Sequence, residues 1–296
     1  MFQQSRAFPL LAALMLTSQT ALAGPVIDRI VKRGSVVLAH ESETMPFAYL
    51  DAAKRPIGYS IDVCKRLVEA IGKQLKQPAL RTEYLPVSSD GRFTTITEGK
   101  ADIECGSTTN NAERRKRAAF TVPHYVTGAR FAVPASSTVE GIDGLQGKRV
   151  VSVKGTTPLA ALKQANQERL LGLQVLEADS EAKALDMVAA GQADAFAMDD
   201  VVLYALIAAR KDADRFKVTG KFLSVEALAF MLPTNDAEFK RIVDEEMRRL
   251  IYSREIHEIY KKWFEMPIPP SNTVLRLPMN YLLKDFWKYP SDQVPY

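Results

Sequence analysis

An α/β protein of two similar lobes is the fold this sequence predicts, on three observations. Strand-like and helix-like segments alternate along the chain, the alternation runs through twice, and the two passes end alike. Glu98-Gly99-Lys100-Ala101-Asp102 and, 92 residues later, Ala190-Gly191-Gln192-Ala193-Asp194 both read as helix end, glycine cap and strand start. Composition agrees: 296 residues with 47% hydrophobic and 25% charged side chains exclude disordered, collagen-like and coiled-coil classes.

In chain order, Met1 to Ala23 divides as a signal peptide does: Arg6, an apolar stretch Ala7 to Leu16, then Ala21-Leu22-Ala23 as a small-x-small cleavage site. Cleavage after Ala23 leaves 273 residues and lowers the formal charge from +4 to +3, in an exported, soluble protein. Val36 to His40 is a strand. Ser60 can then cap a helix on which Ile61, Cys64, Leu67, Val68, Ile71 and Leu75 share a face. Leu80 to Val87 reads as strand, Arg92 to Glu98 as helix and Ala101 to Cys105 as strand. The second pass has strands at Arg149 to Lys154, Gln174 to Glu177 and Ala193 to Met198, with helices at Pro158 to Leu170 and Glu181 to Ala190. This β-α-β-α-β order favours parallel sheets.

The chain is expected to cross between lobes at 124–128 and to return at 224–228. Lobe 1 then comprises 24–123 plus 229–296, and lobe 2 comprises 129–223. Ala229 to Leu232 reads as strand and Asp236 to Phe264 as one or two helices, with Met247, Tyr252, Tyr260, Trp263 and Phe264 as core stripes. The proline-containing tail 266–296 is expected as an extended strap. In the oxidising compartment that export implies, Cys64 and Cys105 either form one disulfide or are two buried small hydrophobes. His40, His124 and His257 are far apart and give no metal-ligand spacing, and no run of Lys and Arg forms a nucleic-acid-binding stripe. No P-loop or Gly-x-Ser-x-Gly elbow occurs, so neither a metal nor a cofactor is expected.

One strand-to-helix turn per lobe carries candidate chemistry. Glu104 to Asn111 leads into Ala112-Glu113-Arg114, offering hydroxyls, free N–H groups and the Arg114 fork to an anion. Gly155-Thr156-Thr157-Pro158 does the same in lobe 2, with Thr157 as expected N-cap and Pro158 at the first helical position. Asp199 and Asp200 end the last lobe 2 strand, one expected to meet a ligand ammonium and one to cap the next helix. A cleft between the lobes is the natural place for a ligand.

At these residues the chain resembles the periplasmic solute-binding proteins of polar amino-acid ABC importers, most closely the branch that binds glutamate and aspartate. The matching segments are Pro46-Phe47, Gly58-Tyr59-Ser60, Glu104 to Asn111 with Glu113-Arg114, Gly155-Thr156-Thr157, Met198-Asp199-Asp200, and Tyr260 to Phe264 followed by Pro267-Ile268-Pro269-Pro270. The resemblance implies the type II two-lobed periplasmic binding protein fold, with two hinge crossings and a ligand cleft between lobes. It further implies a monomeric, non-enzymatic protein that hands its ligand to inner-membrane permease subunits. It places the ligand α-carboxylate on Thr109, Arg114 and Thr157, and the α-ammonium on Ser107 and Asp199. Ser89 and Arg92 match positions that hold the distal carboxylate in that branch. Glu41 and Glu181, however, stand where that branch has an arginine and a histidine, which points toward a neutral or basic ligand unless Arg92 neutralises one of them. The competing class is a periplasmic dehydratase of the prephenate or arogenate type on the same scaffold, with Glu41 or Glu181 as general acid.

Overall fold

The computed structural model describes residues 24–294; the expected signal peptide lies outside them. Two sheets organise the chain. The first has the order Arg81–Pro86, Ser35–His40, Ile103–Glu104, Met231–Leu232, Ala119–Phe120. The second has the order Gln174–Ala178, Arg149–Val153, Ala195–Asp199, Tyr125–Pro134, Phe216–Thr219. The first three strands of each are parallel to one another, as the βαβ pattern requires.

The parallel expectation fails where the chain crosses. Tyr125–Pro134 and Met231–Leu232 run antiparallel to the neighbouring strands. Each follows a crossing, so it enters its sheet from the edge where the parallel strands end. The crossings pair with each other: Tyr125 to Gly128 lies antiparallel to Val225–Leu228, with Thr127 opposite Glu226.

Helices cover each sheet. Tyr59–Gln74 buries Ile61, Val63, Cys64, Leu67, Val68 and Ile71 at helical spacing, and Ala237–Tyr252 and Glu255–Phe264 pack beside it. Its N-cap is Gly58, not Ser60, because Gly58 takes a φ of 134° and any Cβ there would stand 2.1 Å from the Phe47 carbonyl oxygen. Ser60 lies within the helix and donates to the Gly106 carbonyl at 2.8 Å. Cys64 and Cys105 form a disulfide, which ties this helix to the strand end that follows Glu104.

The segments Pro46-Phe47, Tyr59 and Tyr260 to Phe264 meet in one buried aromatic cluster. Phe47 lies 5.2 Å from Tyr125, and Tyr260 stacks on Phe264 at 4.2 Å. The Tyr59 hydroxyl donates to the His124 carbonyl at 2.8 Å, so the cluster anchors the start of the first crossing. Met247, Tyr260, Trp263 and Phe264 are core residues, whereas Tyr252 is exposed on the far face of its helix.

Among the elements not expected from sequence are helix Pro25–Arg33, a small sheet of Glu43–Thr44, Ala48–Leu50 and Pro56–Ile57, and helix Tyr281–Phe286 within the tail. Asp236 accepts from the N–H groups of Val26, Ile27 and Phe239, so one carboxylate caps two helices. The tail braces the first crossing: Asn280 donates to the Val126 carbonyl at 2.7 Å and the Trp287 indole to that of Pro123 at 3.2 Å.

Candidate ligand-binding site

Six strand ends face one another across the space between the sheets. On one side, Glu41 follows Ser35–His40, Ser89 and Arg92 follow Arg81–Pro86, and Ser107 and Thr109 follow Ile103–Glu104. On the other, Thr157 follows Arg149–Val153, Glu181 follows Gln174–Ala178, and Asp199 ends Ala195–Asp199. The twofold βαβ pattern thus delivers its carboxyl ends to a single place. These eight side chains line one narrow cleft between the sheets, together with Thr156, Pro158 and Met198.

Arg114, the ninth expected residue, stands behind Thr109 rather than in the lining. Its guanidinium donates to the Thr109 carbonyl at 3.1 Å and across the cleft to the Gly155 carbonyl at 3.0 Å. Desolvation and the neighbouring Arg92 lower Arg114 to about 9, so it stays charged at neutral pH and an anion nearby would relieve that strain.

The lobes touch directly. The hydroxyls of Thr109 and Thr157 are 2.8 Å apart, and Thr44 donates to Glu181 at 3.3 Å. Gly155, with φ of 74°, lies so close to the opposite lobe that a Cβ would stand 2.6 Å from Asp90 Cα and 2.7 Å from the Ser89 carbonyl oxygen. Only glycine allows this approach.

Local capping differs from expectation in two places. Thr156, not Thr157, caps helix Thr157–Glu168, its hydroxyl accepting from the Leu159 N–H at 3.3 Å. Pro158 therefore sits second in the helix, and the Thr157 hydroxyl is left for the cleft. Neither Asp199 nor Asp200 caps the next helix through its side chain: Asp200 accepts from Thr127 of the first crossing at 2.7 Å.

Carboxylates outnumber cations here. Arg92 donates to Glu41 Oε1 at 3.2 Å and Ser89 to the same oxygen at 2.6 Å. Glu41 Oε2, Arg92 Nε, Glu104 Oε1 and Asp199 Oδ1 are buried without a hydrogen-bond partner among the described residues. Burial, reinforced by Glu226 and Asp200, pushes Asp199 well above the usual carboxylate range. Burial, with Glu41 adding to it, raises Glu181 to about 7. Glu104 also rises to about 7, mainly by burial, although Arg92 opposes the shift. Sequence reasoning missed Glu104 and Thr44 as neighbours of the site, and Gly155 as the contact point. Among the described residues no cluster of three or more metal-binding side chains exists, and no helix is long and apolar enough to cross a membrane.

Comparison with known proteins agrees with this geometry. Residues 36–266 match the family of bacterial extracellular solute-binding proteins, family 3. The chain is 35% identical over 271 residues to the glutamate/aspartate import solute-binding protein of Salmonella typhimurium, covering 92% of this chain and 90% of that protein. It is 37% identical over 268 residues to the L-glutamate/L-aspartate-binding protein of Pseudomonas aeruginosa, covering 90% and 89%. Among solved structures, an ancestral arginine-binding protein bound to arginine superposes with a TM-score of 0.72 at 23% identity, over 78% of this chain and 99% of that one, a likeness of fold. With a two-lobed α/β fold, a cleft at the strand ends and a family match over most of its length, this chain belongs to the bacterial extracellular solute-binding proteins of family 3.

Proposed function

We propose that this protein captures a polar amino acid between its lobes and delivers it to the permease subunits of an ABC importer. One observation carries the reading: a single cleft draws groups from both sheets that complement both ends of an α-amino acid. The Thr109 and Thr157 hydroxyls, with Arg114 behind them, form the α-carboxylate subsite. Ser107 and Asp199 form the α-ammonium subsite, and an ammonium would supply the charge that the buried Asp199 carboxylate lacks.

On this reading the lobes are 24–123 plus 229–296 and 129–223. They rotate about 124–128 and 224–228, and the paired crossing strands act as the hinge. The protein works as a periplasmic monomer after cleavage behind Ala23. The import and binding functions in the names of its relatives support the transport role. A dehydratase is not favoured, and purified protein is expected to leave prephenate and arogenate unchanged.

Calorimetric titration of the mature protein with the twenty amino acids tests the reading. At least one should bind tightly, and Arg114→Met and Asp199→Asn should each weaken it 100-fold or more, as loss of a charged partner does. Unaltered binding in both variants would place the ligand elsewhere.

A further inference from the structure

If the α-groups are anchored as above, the ligand side chain points toward Glu41, Arg92 and Glu181. Charge does not balance there. Arg92, the one Lys or Arg in the lining, already donates to Glu41. Glu41 and Glu181 are each only 4% exposed, and Glu41 Oε2 has no partner among the described residues. Beside them, a methyl built on Gly106 would stand 2.2 Å from Glu104 Oε1 and 2.8 Å from Glu41 Oε2. Two carboxylate oxygens without partners therefore converge on one point. A second cavity of about 120 Å³ continues outward, sharing Glu41, Ser89 and Glu181 as walls. Its lining adds Glu43 and Asp179 and contains no Lys or Arg.

We propose that this subsite receives the cationic side chain of a basic amino acid of the lysine, ornithine or arginine class, with Glu41 Oε2 and Glu181 as its acceptors. The proposal rests on the amino-acid reading above and names its ligand class. A carboxylate side chain would bring a further anion into this acidic wall, and Arg92, although its Nε is without a partner, would have to share its one charge between that anion and Glu41. A long cationic chain fits both the charge and the outward continuation of the cavity.

The surroundings of Glu181 give a second readout. Glu41 and Arg92 face it from lobe 1 with the Thr44 hydroxyl, while Glu43 and Asp179 stand at the mouth, Asp179 being paired with Lys154 and Lys183. A bound cation draws the proton from Glu181, whose ligand-free value is about 7. Binding should therefore tighten as pH rises from 5.5 to 8.

The test is calorimetric titration of the mature chain with lysine, ornithine, arginine, glutamine, asparagine, glutamate and aspartate at both pH values. A basic amino acid should bind most tightly, more so at pH 8, with glutamate at least about 100-fold weaker. Glu181→Gln, checked for folding by circular dichroism, should weaken the basic ligand about 10- to 100-fold and reduce its pH dependence, leaving the part that Asp199 contributes. Tightest binding of glutamate, aspartate or a neutral amide would overturn the proposal. If that binding were lost in Asp199→Asn, the amino-acid reading would survive; binding of no amino acid would overturn both.

Discussion

Glu181 shows what a single buried carboxyl does to the molecule without ligand. Burial and the charge of Glu41 raise it to about 7, so between pH 4.5 and 7 the folded protein holds a proton that the unfolded chain has lost. This term is fully present at low pH and is lost as pH rises through 7. His124, lowered to about 3 by burial, acts in the opposite direction, so a comparison with a variant isolates Glu181. Relative to wild type, Glu181→Gln should gain about 2–3 kcal/mol in stability between pH 5 and pH 8, read from chemical denaturation at each pH. A constant difference would show that Glu181 does not titrate in this range. Ser107, Thr109, Thr157 and Asp199 were legible because hydroxyls, glycines and carboxylates cluster just after strands, whereas Glu41, Ser89, Arg92 and Glu181 came only from the family resemblance. Glu104 was not legible, since its place depends on Gly106 folding over it. Thr156 and Thr157 were not separable either, because Pro is tolerated at either of the first two helical positions, where no intrahelical N–H bond is needed.

At the scale of elements, hydrophobic period and glycine placement carried the reading. Gly99 and Gly191 both take φ of 69° just past a helix, as the repeated pentapeptide implied. Some elements escaped notice because they are short: the small sheet at 43–57 has strands of two or three residues, too few to show alternation. The disulfide joins two such levels, linking helix Tyr59–Gln74 to the loop that carries Ser107 and Thr109. It closes a loop with a sequence separation of 41 residues, for which chain entropy gives about 4 kcal/mol. Replacing both cysteines by alanine should cost about 2–4 kcal/mol in urea denaturation; a loss under about 0.5 kcal/mol would mean that the aromatic cluster and the helix packing hold that loop without it.

At the scale of the whole molecule, two lobes were legible from an internal repeat, but their contact was not. Sequence carries the strand ends, whereas the approach of Gly155 to Ser89 and Asp90 exists only when the lobes meet. That approach makes closure itself testable. Small-angle X-ray scattering of the mature protein, with and without the amino acid that titration selects, reads the separation of the lobes directly. The radius of gyration should fall on ligand addition in the wild type, and should fall little in Gly155→Val, whose side chain would strike the backbone of Asp90. A bound ligand that leaves the wild-type radius unchanged would contradict capture by closure of this cleft.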